Sequence, residues 1–376
     1  MKILTSEAVF RGHPDKICDQ ISDAILDACL EQDKGSRVAI ETLIKNHLIV
    51  IAGEVTTTAD IDYEEVALGV LESLGYKDLD DFDFDVEVSK QSPDIALGVD
   101  KDGAGDQGIM YGYATDECKE LMPLPIVFAR RIAIRMDELT TDLRDIFGAD
   151  GKCQVSIEYD DDDKPRRIDT IVVSQQTAPN LDRKFYTKFI IKECIYKVLP
   201  VGMIDENTKI LINPTGEFVE GGAYADSGLT GRKIICDTYG GIGRHGGGAF
   251  SGKDTTKVDR IGAYYARYVA KNIVASGLAK KCEVQVAYAI GVDKPVAVNI
   301  DTFGTSKYSN EQIKEAVMKL FNFKPKAMRT EIINDDICFR SLAEYGHVGR
   351  RDIKVPWERT NKAYVLKLYM LENYGK

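Results

Sequence analysis

No two of the eight cysteines in this 376-residue sequence form a CxxC pair. They fall far apart, at Cys18, Cys29, Cys118, Cys153, Cys194, Cys236, Cys282 and Cys338. That spacing excludes a zinc ribbon and a compact disulfide framework, and free buried thiols in a reducing compartment are the expectation. The opening MKILTSEAVFRGHPDK has no apolar core of signal-peptide length, and no run approaches a membrane span, so a cytoplasmic protein with no membrane partner is expected. Positive charge is in deficit as well: the formal net charge is −11. Nucleic acid is held mainly by arrays of Lys and Arg, so it is excluded as a general partner. A hydrophobic content of 44% and this length describe a globular chain with room for two or three cores, whose ligand is small and met by a local cationic cluster.

Such a cluster stands at Gly240 to Arg260, GGIGRHGGGAFSGKDTTKVDR. Its glycines let backbone approach an anion while Arg244, Lys253 and Lys257 supply charge. An apolar, β-branched run from Lys233 to Tyr239 precedes it, and Val258 to Ala275 follows with apolar residues at helical spacing. The order strand, glycine loop, helix is therefore expected, with N–H groups free to meet phosphate. Gly247 to Lys253 fits the start of GxxxxGK[ST], but Asp254 takes the Ser/Thr slot that should reach Mg²⁺. An ordinary phosphate-loop NTPase does not fit.

The chain repeats one order of elements three times. Helix Pro14 to Glu31, runs Arg37–Ile44 and His47–Thr56, and helix Asp62 to Leu74 make the first unit. The second has a helix at Leu124 to Leu139, runs at Gln154–Tyr159 and Arg167–Ser174, and a helix from Arg183 to Val198. Helix Val258 to Ala275, runs Glu283–Ile290 and Val296–Phe303, and helix Glu311 to Phe321 complete the third. An extended segment is expected after each, at Phe82–Lys90, Lys209–Ile212 and Arg329–Ile333. The fold class is thus α+β, three similar helix-hairpin-helix-strand domains. Their approximate limits are 1–98, 99–221 and 222–376. One face of each hairpin sheet is left for a partner. Asp160 to Asp163 reads as the turn of the middle hairpin rather than a metal site.

Three further segments offer chemistry. In Gly12-His13-Pro14-Asp15-Lys16, Pro14 and Asp15 suit a helix start, and His13, Asp15 and Lys16 suit a Mg²⁺-polyphosphate. Gly98 to Gly112 places Asp106 among glycines, either as a plain turn or as an acceptor for a ribose hydroxyl or an amine. Ile212 to Phe218 and Asp226 to Lys233 bring Phe218, Arg232 and Lys233; stacking on a base and ordinary core packing are both open to Phe218.

GHPDK, GAGDQG, INPTG, GLTGRKIICDTYGG and RHGGGAFSGKD occur in that order, between Thr5-Ser6-Glu7 and the closing Tyr345-Gly346-His347 and Pro356-Trp357-Glu358. Through them the whole chain resembles S-adenosylmethionine synthetase (methionine adenosyltransferase). The resemblance implies three discontinuous domains in pseudo-threefold symmetry. It also implies a reaction in which methionine sulfur displaces triphosphate from the 5′ carbon of ATP and the triphosphate is then hydrolysed. By matching position it implies His13, Lys164, Arg244 and Lys253 as catalytic. Asp162, Asp163, Lys164, Glu217, Phe218, Asp226, Arg232, Lys233, Ala249 and Lys253 join His13 in binding ATP. Glu54, Gln91, Asp106, Asp226 and Lys257 are implied for methionine, Asp15 and Asp259 for two Mg²⁺ per site, and Glu41 for one K⁺ per subunit. A homo-oligomer is implied: a dimer with shared active sites, two such dimers making a tetramer. Departures are Arg11, where the family is usually acidic, Glu217, where Arg is common, and only Lys101 and Asp102 between GVD and GAGDQG, a short lid. The rival readings are an ATP-dependent kinase or hydrolase, against which Asp254 speaks, and a non-catalytic regulatory paralogue, against which the full set of acids and cations speaks.

Overall fold

The computed structural model describes residues 1–90 and 103–375. The first helix, α1 (Pro14–Gln32), starts where Pro14 presets the backbone and the His13 ring caps it, Nδ1 accepting from the Asp15 N–H at 3.2 Å. Ile17, Ile21 and Ile25 recur at four-residue spacing and are fully buried, each contributing about 1.5–3 kcal/mol. They pack on the inner residues Val38, Ile40, Ile44, Ile49 and Ile51 of the hairpin β2 (Arg37–Lys45) and β3 (Leu48–Thr56). Helix α2 (Tyr63–Leu74) and strand β4 (Asp83–Ser89) complete this unit, β4 parallel to β3.

The middle unit has α3 (Leu124–Asp142), β6 (Phe147–Tyr159), β7 (Pro165–Thr177), α4 (Arg183–Ile190) and β8 (Lys209–Ile212). The third has α5 (Val258–Ala275), β10 (Lys281–Tyr288), β11 (Ala297–Asp301) and α6 (Asn310–Leu320). Each sheet borrows a strand from outside its own unit. The leading strand β1 (Lys2–Val9) pairs antiparallel with β6. Strand β5 (Gly108–Thr115) pairs with β10, and β9 (Gly228–Leu229) with β2. The strand that precedes each unit thus joins the hairpin of the next, the third unit's strand returning to the first. Pairings therefore cross the sequence limits at 98 and 221. Contact between α5 and β5 is close enough to demand glycine: a Cβ on Gly112 would lie 2.0 Å from the Ala266 carbonyl carbon.

Two sequence expectations fail. Lys233 to Tyr239 is not a strand; Ile234–Asp237 forms a single helical turn. A short apolar run carries no decisive period, and here the turn points Asp237 at the buried Lys16, with which it pairs. Nor is Arg329–Ile333 an extended segment; α7 (Pro325–Ile332) covers all of it but Ile333. Pro325 at the first helical position and Met328 and Ile332 buried four residues apart mark that helix. The third unit consequently ends on a helix where the other two end on a parallel strand. Among the described residues no helix is long and apolar enough to cross a membrane.

Candidate active site

The glycine loop lies against β2 along the edge that β9 takes up further on, at Leu43 and Ile44. Ile40 N–H donates to Gly252 O at 3.0 Å, and Asp254 and Val38 exchange bonds, with Asp254 N–H donating to Val38 O and Val38 N–H to Asp254 Oδ2. Gly252 has φ +79°, and a Cβ there would sit 1.9 Å from the Ile40 oxygen. Only glycine lets the loop come this near. Ala249, Ser251 and Lys253 from the loop, Glu41 and Glu54 from the hairpin, and Thr230 wall a cavity of about 370 Å³. Glu41 and Glu54 both point to the sheet face away from α1, since Glu41 pairs with Ala52 and Glu54 with Ala39. The Lys253 ammonium holds Asp259, in the first turn of α5, at 2.5 Å. Lys257 is tied to Asp254 at 3.0 Å.

A second cluster surrounds the head of α1. Lys233 reaches Asp15 Oδ2 at 2.5 Å, Arg232 Nε lies 3.5 Å from Oδ1, and the Leu229 N–H donates to Oδ1 at 3.0 Å. Burial, and then the charge of Lys233, lower the His13 pKa from 6.5 to about 4, while Asp15 and Asp226 pull the other way. Its Nδ1 accepts, so the neutral ring carries its proton on Nε2. Phe218 is half-buried and Glu217 exposed.

The turn between β6 and β7 carries Asp162, Asp163 and Lys164 and stands apart from the Lys253–Asp259 end of the glycine loop. Asp163 pairs with Lys2 and, at 2.6 Å, with Lys281. Lys281 faces Thr115, whereas Asp259 lies beside Gly108, seven residues away on β5. That separation is about 23 Å of strand. Arg244 belongs on the Lys281 side, its guanidinium bound at 3.0 Å by Glu283 of β10. Asp106 is exposed and folds back on the Gln107 N–H. Gln91 and the short lid at Lys101 and Asp102 lie outside the described residues. Arg11 points away from these clusters, to Thr141 on α3.

Sequence reasoning missed four residues. Ser251 is 3% exposed with its hydroxyl unpartnered in the cavity wall. Asp19, Asp23 and Arg260 are wholly enclosed; acids at four-residue intervals along one face of α1 were the available signal. Among the described residues no three His, Cys, Asp or Glu side chains converge on a metal position. Asp15 and Asp259 each stand as a lone carboxylate already neutralised by a lysine ammonium.

Comparison with known proteins agrees along the length of the chain. The N-terminal domain of S-adenosylmethionine synthetase matches residues 1–95, the central domain 101–218 and the C-terminal domain 220–359. S-adenosylmethionine synthase of Clostridium tetani is 49% identical over 387 residues, covering 97% of this chain and 99% of that protein. With three domains matched in order and near full-length identity to one relative, the chain belongs to the S-adenosylmethionine synthetase family.

Proposed function

We propose that the chain makes S-adenosyl-L-methionine from L-methionine and ATP. The methionine sulfur attacks the 5′ carbon, the C5′–O bond breaks, and triphosphate leaves with the bonding pair; water then splits it into phosphate and pyrophosphate. The observation that carries this reading is the glycine loop pinned on β2, which sets Lys253 beside Asp259 at the rim of the Glu41–Glu54 cavity. A neutral thioether is a weak nucleophile, so the reaction needs a stabilised leaving group and reactants held in line. Lys253, Lys164 and Arg244 supply positive charge, and the neutral His13 offers its Nε2–H to the leaving oxygen. Arg232, Lys233, Asp162, Asp163, Asp226, Glu217, Phe218 and Ala249 complete the ATP side; Glu54, Gln91, Asp106, Asp226 and Lys257 hold methionine.

This family works with a divalent metal ion and K⁺. The lone carboxylates of Asp15 and Asp259 fit two Mg²⁺, an ion usually held by one or two carboxylates together with substrate phosphates and water. When bound, Mg²⁺ neutralises charge on the departing triphosphate. Glu41, with the unpartnered Ser251 hydroxyl in the same wall, suits one K⁺. The roughly 23 Å along β5 between the Asp163 and Asp259 clusters supports active sites shared between two copies, two such dimers forming a tetramer. A cytoplasmic location accords with the eight free cysteines.

Incubation with ATP, Mg²⁺ and K⁺, with and without L-methionine, tests the reaction. Methionine-dependent sulfonium product with matching phosphate and pyrophosphate is expected; ADP or phosphate formed equally without methionine overturns it. Glu41→Ala weakens activation by K⁺, and an unchanged K⁺ dependence rejects that ligand. Light scattering should return a multiple of 41.8 kDa; an active monomer refutes shared sites. Cell fractionation that recovers the activity with membranes refutes the location.

A further inference from the structure

Helix α1 carries Asp15, Asp19 and Asp23 at positions i, i+4 and i+8, one above another on a single face. Each accepts a backbone N–H from a loop bearing the site's cations. Asp15 Oδ1 takes Leu229 at 3.0 Å, Asp19 Oδ1 takes Gly231 at 2.8 Å, and Asp23 Oδ1 takes Gly252 at 2.9 Å. Gly231 is followed by Arg232 and Lys233; Gly252 is followed by Lys253. The remaining carboxylate oxygens bind cations: Asp15 holds Lys233 at 2.5 Å, and Asp19 holds the buried Lys16 at 3.2 Å. Asp23 takes both forks of Arg260, at 2.6 and 2.9 Å. The same guanidinium donates to Phe250 O at 2.9 Å and Lys253 O at 3.0 Å, so residues 250–253 are held at three backbone points from one ion pair.

We infer that Asp19 and Asp23 are positioning residues: α1 is a rod, and these two carboxylates fix on it the loops that carry Lys233 and Lys253. Both are enclosed by protein, at 1% and 0% exposure, so neither touches substrate. Their separation is set by helix geometry at about 6 Å per turn and a fraction, a spacing that loops alone cannot hold. A backbone shift of about 1 Å at a catalytic cation costs about 100-fold in rate, which is why a rigid reference serves this chemistry. The inference rests on Lys253 and Lys233 acting as proposed above.

A double-mutant cycle separates positioning from mere packing. Asp23→Asn keeps the Oδ1 that serves the Gly252 N–H but removes the charge and the Oδ2 acceptor that fix the Arg260 fork. It lowers kcat about 10- to 100-fold with the KM for methionine within about twofold, and in a Lys253→Ala background its further loss falls below about threefold. Asp19→Asn shows the reciprocal pattern, losing its effect in Lys233→Ala and keeping it in Lys253→Ala. Thermal unfolding is followed in parallel; should Asp23→Asn fail to fold, Arg260→Lys, which keeps the charge but lacks the fork to the two carbonyls, takes its place. Losses that multiply fully in both lysine backgrounds make the acids structural and overturn the role. Near-normal turnover in Lys253→Ala instead overturns the assignment of that lysine, and Asp23's role with it.

Discussion

Two parts of this molecule are equally rich in aspartate and use it in opposite ways. Along α1, Asp19 and Asp23 are enclosed, and each is matched to a cation and a backbone N–H. In the turn from Asp160 to Asp163, Asp161 is 93% exposed and pairs with the N-terminal ammonium, while Asp163 bridges Lys2 and Lys281. A buried charge has no substitute for its partner, whereas an exposed one has water. The difference predicts where substitution hurts. Arg260→Met leaves the buried Asp23 carboxylate without its cation, and about 3–5 kcal/mol of stability should be lost. Urea unfolding measures it; a loss under about 1 kcal/mol would erase the contrast. Burial works against the Arg260 charge, and Asp23 outweighs it, holding the guanidinium above its ordinary pKa.

The same contrast explains what could be read before any coordinates. Periodicity located α1, both strands of each hairpin and α5, because these elements bury one regular face and the apolar spacing reports it directly. It misread Ile234–Asp237, whose conformation is set by a long-range tie from Asp237 to Lys16 rather than by local spacing. Periodicity was equally blind to the borrowing of β1, β5 and β9 by neighbouring sheets, since register between distant strands leaves no local mark; the discontinuous domains came only from the family resemblance. Motifs flagged the charged residues of the loops. They passed over Asp19 and Asp23, which act on backbone N–H groups far away in the sequence.

At the head of α1, enclosure is incomplete and titration becomes accessible. The His13 ring is 12% exposed, and burial followed by Lys233 lowers its pKa to about 4. An unfolded histidine titrates near 6.5, so between about 6.5 and 4 the unfolded chain binds the extra proton. Stability from this group is therefore fully present above 6.5 and is lost as pH falls toward 4, by at most about 3 kcal/mol. In metal-free protein, His13→Asn should flatten that part of the stability profile. If wild type and variant keep a constant difference from pH 7 to 4, the ring is not held neutral by its surroundings.

The exposed turn supplies the smallest stability effect and the sharpest test of the contrast. Asp161→Asn should change unfolding free energy by less than about 0.5 kcal/mol, and added salt should remove even that, because the pair is solvated and screened. Lys164, exposed on the same turn, should likewise leave stability within about 0.5 kcal/mol when changed to Ala. Its turnover should nevertheless fall about 100-fold, because a residue with no role in its own fold is free to serve a site completed by a second copy. Mixing Lys164→Ala with Lys253→Ala chains and allowing subunits to exchange would then restore part of the activity, through sites that receive an intact lysine of each kind. No recovery, with exchange verified by mass, would mean that both lysines serve one site within a single chain, and the turn and Lys253 would have to approach each other across the length of β5.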